Sequence, residues 1–492
     1  MNKKSDPKPE LDLKGALELS PSPERIPVTI RERYGHFIGG KFHDGTDDSL
    51  FETVNPATGE VLAHVAAATE AEVDKAVASA RAAHTKVWGK MSGAERGKYL
   101  YRIARRMQEK SRELSAIETR DNGKPIRETR DVDIPLACAH FFYYAGWADK
   151  LEYALPGRQA RSLGVAAQVI PWNFPLLMAA WKLAPALATG NTVVLKPAET
   201  TPLTAMFLAE ILQEVDLPPG VVNIVNGAGA TGGALVGHGD VDKVAFTGST
   251  NVGRIIMRQI AGTKKKATME LGGKGAQIVF ADAALDQAVE GTINGIFFNQ
   301  GHVCCAGSRL LLEESIAEAF MERLQRRVET LRIGDPLDKN TDVGAINSAE
   351  QFATVQRYID IGRSEGAKVW QGSATAVPDK GYFIPPTILS GMQQSDTCVR
   401  EEIFGPVLSV LTFRTPDEAV KKANDSEYGL AAGVWSEKTS KLFEVAHRLN
   451  AGIVWANGYN LFDPASPFGG IRHSGFGREG GIAGLWPYLE VA

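Results

Sequence analysis

The sequence is poor in residues on which several protein classes depend. Cysteine occurs four times in 492 residues, at Cys138, Cys304, Cys305 and Cys398. That is too few for the disulfide framework of a secreted scaffold and suits a reducing compartment. Long apolar runs are missing as well. The most hydrophobic stretch, residues 176–188, is interrupted by Lys182 and Pro185 and falls short of the roughly twenty residues that span a bilayer. Neither sign of charge dominates: 54 Lys and Arg against 58 Asp and Glu leave a net charge of −4. With no basic block longer than Lys264–Lys266, the chain lacks the footprint of a nucleic-acid or polybasic membrane partner. The polar lead-in, residues 1–33, has no signal-peptide core and reads as partly ordered, so the expected location is cytoplasmic. The nine histidines form no spaced pair and the cysteines no C-x-x-C, so no metal ligand set is expected.

What is present is ordinary globular material, 44% hydrophobic and 23% charged, enough for large cores and more than one domain. A small-molecule enzyme fits this balance. From Gly164 to Phe280, β-branched runs (165–170, 192–195, 221–225, 244–246, 277–280) alternate with helical stretches (176–188, 201–215, 231–236, 252–261). This rhythm predicts βαβ units on a buried parallel sheet. Thr201 and Pro202 read as a cap and first helical position. Upstream, residues 70–87 and 94–122 carry helical periodicity and 53–58 a turn. Downstream, helical stretches at 286–298, 315–331, 348–365, 416–424 and 438–449, with an apolar run at 407–413, predict a second α/β layer.

Three features point to a dinucleotide. Gly227-Ala228-Gly229-Ala230-Thr231-Gly232 matches G-x-G-x-x-G after a strand and before a helix, a weak signal alone in a chain with 50 glycines. A second glycine turn, Phe246 to Gly253 with Gly248 and Ser249, opens another helix whose first N–H groups suit a pyrophosphate. Third, Lys196-Pro197-Ala198-Glu199 follows a strand at the sheet edge where such ligands bind. A carboxylate at Glu199 accepts ribose hydroxyls and repels a 2′-phosphate, favouring NAD over NADP. The plain alternative for Lys196 and Glu199 is a surface ion pair.

Phe297 to Gly307 (FFNQGHVCCAG) places two cysteines after a glycine turn. Adjacent cysteines rarely bond to each other, and two small buried residues are the plain reading. Glu270 before a double glycine and Asn173 between prolines change the balance. A thiol nucleophile, a carboxylate base and an amide donor are what thiol-mediated oxidation of a carbonyl requires.

With these motifs in view, the sequence resembles the NAD(P)-dependent aldehyde dehydrogenase superfamily from about residue 37 to 488. PWNFP (171–175), KPAE (196–199), FTGS (246–249), ELGGK (270–274), the cysteine segment, EEIFGPV (401–407) and SPFGG (466–470) carry the likeness. The resemblance implies a Rossmann-like NAD-binding unit (1–139 and 160–270), an α/β catalytic unit (271–470) and a small oligomerisation β-element (140–159 and 471–492). It implies Cys304 as nucleophile, Asn173 with the Cys304 N–H as oxyanion donors and Glu270 as base. Lys182 and Glu479 match proton-relay positions, with a salt bridge as the alternative. Cofactor contacts fall at Ile170, Pro171, Trp172, Lys196, Glu199, Gly229, Phe246, Gly248, Ser249, Gly253, Leu271, Glu402 and Phe404. A substrate tunnel falls at Phe174, Trp181, Val303, Cys305, Phe462 and Phe468, for a small-molecule aldehyde that the sequence does not identify.

Two departures stand out. His302 replaces a common Gln two residues before the nucleophile, and is expected to have little effect. The chain stops at Ala492, where relatives continue into a subunit-pairing strand, so the expected homo-oligomer, dimer or tetramer, is not secured by that strand. Residues 469–481 resemble the first module of two-module relatives, which leaves a separate partner chain open. Three rivals stay open: a CoA-acylating semialdehyde dehydrogenase, disfavoured by Glu270; a catalytically silent relative, disfavoured by the three catalytic residue types; and a zinc alcohol dehydrogenase, which lacks ligand spacing.

Overall fold

A computed structural model describes residues 20–45, 49–372 and 376–491. Residues 1–19 of the lead-in, and Ala492, lie outside the described residues.

Eight strands form the first sheet, in the spatial order Gly475–Phe476, Lys266–Glu270, Lys243–Thr247, Val165–Val169, Thr192–Lys196, Val222–Ile224, His36–Ile38 and Lys41–His43. The five strands from 266–270 to 222–224 are mutually parallel, and the outer pairings are antiparallel. Helices cover both faces, so the parallel strands are buried on both sides. That is why Val193, Val194 and Leu195 run without polar alternation. The chain steps outward from 165–169 through 192–196 to 222–224, then returns to the other side at 243–247. The strand order therefore reverses between 165–169 and 243–247, and the crevice at their carboxyl ends is where open α/β sheets hold ligands.

The second sheet has seven strands, ordered Lys368–Gln371, Thr387–Ser390, Val407–Phe413, Arg309–Glu313, Ala276–Val279, Ala431–Trp435 and Ile453–Ala456, all parallel except the first pair. Residues 271–275 run from the carboxyl end of strand 266–270 to the amino end of 276–279. The carboxyl edge of one sheet thus faces the amino edge of the other, and the site lies between them. A two-stranded sheet pairs Leu489–Val491 with Ala160–Ser162, and a three-stranded sheet joins Arg33–Tyr34, Val61–Ala66 and Leu50–Val54.

The predicted strands and helices agree with these elements to within about two residues at most ends. Three expectations need correction. Strand 266–270 was not foreseen, because its first residue, Lys266, is exposed and follows two further lysines, which masks the apolar pattern. The 94–122 stretch is two helices, Gly93–Glu109 and Ser111–Asn122, broken at Lys110. Thr201 does not cap the next helix. That helix begins at Leu203, whose N–H is taken by Asp121 Oδ2 at 2.9 Å. The 175–188 helix is apolar nearly all round and buried as a core helix should be, with Lys182 inside it. Among the described residues no helix is long and apolar enough to cross a membrane.

Candidate active site

Three loops leave the carboxyl edge of the first sheet: 170–174, 247–249 and 271–275. Two segments precede strands of the second sheet and meet them, 298–305 ahead of 309–313 and 402–404 ahead of 407–413. Between these loops lie two cavities. One, of about 590 Å³, is lined almost wholly by apolar side chains, among them Leu136, Phe174, Leu177, Trp181, Val303, Phe462 and Phe468, with Cys305 in its wall and Glu270 and Glu479 at its edge. The other, of about 820 Å³, is a cleft lined by Pro171, Trp172, Gly248, Ser249, Leu271, Glu402 and Phe404. Cys304, Asn173 and Thr247 line both.

The thiol is presented by a strained turn. Asn299 and Gln300 have φ of +49° and +52° and Gly301 follows at +75°, three consecutive left-handed residues of which two bear side chains. Such a conformation persists only where the surroundings over-determine it. Here Gln300 Nε2 donates to Ala345 O at 3.0 Å, and Asn299 Nδ2 donates to Asn173 O at 2.8 Å. Asn173 Nδ2 in turn donates to His302 O at 2.8 Å, which occupies one of its two amide hydrogens and leaves the other available. The Cys304 thiol is held well above its ordinary pKa by its hydrogen bond to Cys305 and by burial, with nearby Glu402 acting the same way. His302 is fully buried between Trp172, at 4.8 Å edge to face, and Phe404, at 5.9 Å and nearly parallel. Burial pushes its imidazole down to about 3, so it is neutral and packs as an aromatic wall.

Glu270 ends its strand at the first cavity, and among the described residues neither of its carboxylate oxygens has a hydrogen-bond partner. Burial and the charge of Glu479 push its pKa well up, while Lys182 pulls the other way. Lys182, wholly buried, is ion-paired with Glu479. The double glycine after Glu270 has a steric cause. A Cβ on Gly272 would lie 2.1 Å from Glu402 Oε2, and one on Gly273 2.3 Å from Cys304 O. The Gly273 N–H donates to Glu402 Oε1 at 2.9 Å, and burial lifts that carboxyl to about 7.

The features expected to hold a dinucleotide extend from the cleft across the switch point. Ile170 N–H donates to Lys196 O at 3.1 Å, tying the two strand ends. Lys196 is buried against the helix Gly229–Gly237 and donates to Glu199 Oε2 at 3.3 Å, while the Glu199 side chain stays 48% exposed. The ion pair and an available carboxylate therefore coexist. Gly229 is the first residue of that helix, and a Cβ there would meet nothing within 4 Å; Ser249 caps the helix Thr250–Ile260 through Val252 N–H. Phe246 and Gly253 do not line the cleft: Phe246 packs beneath Gly248, and Gly253 abuts Leu271.

The geometry is matched by similarity to known proteins. The Aldehyde dehydrogenase family profile covers residues 42–492. The mitochondrial aldehyde dehydrogenase of Homo sapiens is 46% identical over 490 residues, 97% of this chain and 94% of that protein. An NAD+ complex of aldehyde dehydrogenase from Bacillus cereus superposes with a TM-score of 0.91 at 42% identity, covering 94% of this chain and 96% of that one. An indole-3-acetaldehyde dehydrogenase solved with NAD+ gives 0.91 at 40%, with the same coverage. This chain belongs to the aldehyde dehydrogenase family.

As an aldehyde dehydrogenase it shows further site residues that sequence reasoning passed over. Gln351 and Thr354, on the helix Ala349–Ser364, line the second cleft. Gln351 Nε2 donates to Phe404 O at 2.8 Å and Ile403 O at 3.1 Å, supporting Phe404 at its left-handed φ of +56°. Val132, Leu136, Leu177 and Met178 add to the tunnel of the aldehyde dehydrogenase. The three-residue spacing of polar Gln351 and Thr354 was the available signal, and on a surface helix it looks like a solvated face.

Proposed function

We propose that the enzyme oxidises an apolar aldehyde to its carboxylic acid with NAD, through a covalent intermediate on Cys304. The observation that carries this reading is that Cys304 and Asn173 line both the apolar tunnel and the polar cleft. A thiol at such a junction meets a carbonyl from one side and a hydride acceptor from the other.

Cys304 releases its thiol proton to solvent as Sγ adds to the aldehyde carbon, and the oxyanion formed is stabilised by the second Asn173 Nδ2–H and the Cys304 N–H. The cleft residues, Glu402 and Phe404 among them, would hold NAD, whose chemistry when bound would be to take up the hydride of this carbon, and Cys304 would then carry a thioester. Glu270 then takes a proton from water, whose oxygen adds to the thioester carbon. The acid is released and the thiol restored. Because Glu270 and Cys304 are both held towards their neutral forms, Lys182, paired with Glu479, supplies the positive charge that favours ionisation of Glu270.

The residues present fit the dinucleotide: an uncovered Gly229 at the start of its helix, the half-exposed Glu199 carboxylate for ribose hydroxyls, and Glu402 in the cleft for the second ribose. In this reading the eight-stranded sheet is the cofactor unit and the seven-stranded sheet the catalytic unit. A homo-oligomer belongs to the same reading, and Tyr153 and Trp486, exposed beside the 160–162/489–491 sheet, suit it.

Initial rates of NADH formation across aliphatic, aromatic, amino and carboxy aldehydes, with NADP alongside, test the reading. The expected result is turnover of apolar aldehydes with NAD, lost in Cys304→Ala while NAD still binds. Full activity in Cys304→Ala overturns it.

A further inference from the structure

Beneath the cysteine turn lies a group of buried ionisable side chains for which the reaction above has no use. Glu118 and Asp133, and the amine of Lys124, are fully buried, and Glu128 nearly so. Lys124 is ion-paired with Asp133, and its Nζ lies 3.8 Å from the centre of the Phe174 ring. Three of the four come from one short segment, residues 124–133, which contains a π-helical turn at Thr129–Asp133. The inserted residue rotates Asp133 relative to the preceding helix, and such turns occur mainly at functional sites.

The outward contacts of the group are selective. Glu128 Oε2 accepts the N–H of Asn299 at 2.9 Å, at the first of the three left-handed residues that lead to Cys304. Glu118 Oε2 accepts the N–H of Leu176 at 3.1 Å, in the first turn of the helix that follows Asn173 and Phe174. Lys124 covers the tunnel-facing Phe174. None of Glu118, Lys124 or Glu128 lines the cofactor cleft. The group therefore touches the backbone of both segments that supply oxyanion donors, and leaves the cofactor side alone.

We propose that Glu128 is a positioning residue for the reaction, fixing the left-handed turn that presents Cys304, while Glu118 of the same cluster fixes the segment that carries Asn173. Lys124 is the shared counter-charge that lets these carboxyls stay buried together. Burial lifts the Glu128 carboxyl to about 8, and whether charged or neutral its Oε2 gives the Asn299 N–H an acceptor, without which a buried donor would go unpaired; Gln300, the next residue, holds a left-handed conformation that is costly for its side chain. This inference rests on Cys304 as the nucleophile.

The test compares Glu128→Ala, Glu128→Gln and the parent enzyme. Readouts are kcat, NAD affinity, and the rate at which iodoacetamide alkylates Cys304, located by peptide mapping. Glu128→Ala is expected to lower kcat and the alkylation rate by about tenfold or more, with NAD affinity unchanged; tenfold corresponds to about 1.4 kcal/mol. Glu128→Gln keeps an acceptor oxygen for Asn299 and should restore both. Where Glu128→Ala does not fold, Glu128→Asp, which keeps the carboxyl but withdraws the oxygen, is expected to show the same losses. Parent-like kcat and alkylation in the shortened variants overturn the proposal, as does a Gln variant as slow as they are. Failure of the nucleophile assignment itself would show separately, as NADH formation that survives complete alkylation of Cys304 in the parent.

Discussion

Asn173 and His302 are joined by a hydrogen bond of 2.8 Å from the side-chain amide of one to the main-chain carbonyl of the other. It ties the loop after strand 165–169 to the residue two before the thiol. One amide hydrogen is thereby used for alignment, and the second is left for the developing oxyanion.

Asn173→Ala should therefore lose both alignment and a donor. Removal of one such donor costs about 10²- to 10³-fold in kcat, and a loss in that range is expected, with the thermal midpoint close to the parent's. Pre-steady-state rates would locate the loss in hydride transfer. A variant that is slow only in deacylation would show that Asn173 acts elsewhere.

Lys182 and Glu479 form a buried pair beside Glu270. Lys182→Met takes from Glu479 its ion-pair partner, with Lys243 and Arg478 acting only as further charges nearby, and breaking such a pair costs about 3–5 kcal/mol of stability. It also removes the influence that lowers the Glu270 pKa, so Glu270 moves further up and ionises at higher pH. Since the base must be ionised to activate water, the rising limb of the kcat–pH profile should shift to the alkaline side. An unshifted limb in a folded Lys182→Met enzyme would separate this pair from the base. Replacing Lys182 with Met and Glu479 with Leu together should recover much of the lost stability, because no unpaired charge of the pair remains.

How much of this was legible in the sequence depended on whether a signal was local. Strands such as 407–413 and turns such as 246–253 are written in contiguous residues, and their elements fall where periodicity placed them. Cys304, Glu270 and Asn173, the proposed nucleophile, base and amide donor, drew notice because glycine and proline mark the backbone around them. Strand 266–270 did not, since its exposed start hides the apolar pattern. Glu118, Lys124, Glu128 and Asp133 were missed for a different reason. Charged residues at helical spacing read as a solvated face, and only the packing of four segments together shows that these are buried. The role of Asp121 in place of Thr201 has the same character: a capping carboxylate 82 residues away in sequence leaves no local trace.

Asp121 gives a pH-dependent stability. Its carboxyl is buried, accepts from Thr53 Oγ1 at 2.5 Å and from Leu203 N–H at 2.9 Å, and is lifted by burial from an ordinary 3.8 to about 7. In the unfolded chain it releases its proton first. Its contribution to stability is therefore full below about 3.8, is lost as pH rises towards about 7, and is constant above that. Asp121→Asn has no such group to titrate. Denaturant unfolding at pH 5 and pH 8 should show the variant gaining on the parent at the higher pH; an equal difference at both values would mean the carboxyl titrates normally.

Glu199 offers the most direct test of cofactor choice. Its side chain is half exposed and its bond to Lys196 is a long 3.3 Å, so the pair contributes little to stability and its replacement should not disturb the fold. A 2′-phosphate brought to this position meets a carboxylate, whereas ribose hydroxyls can donate to it. Glu199→Gln removes the repulsion and keeps an acceptor, while Lys196 remains as a cation that a phosphate can reach. The ratio of kcat/KM for NADP to that for NAD should rise by about tenfold or more, since about 1.4 kcal/mol of relieved repulsion is a factor of ten. Most of the change should lie in KM, because Glu199 sits on the first sheet, away from the thiol, and binds both states of the reacting carbon equally. A ratio that stays at the parent value would place the ribose elsewhere, and with it the assignment of the Lys196–Glu199 loop.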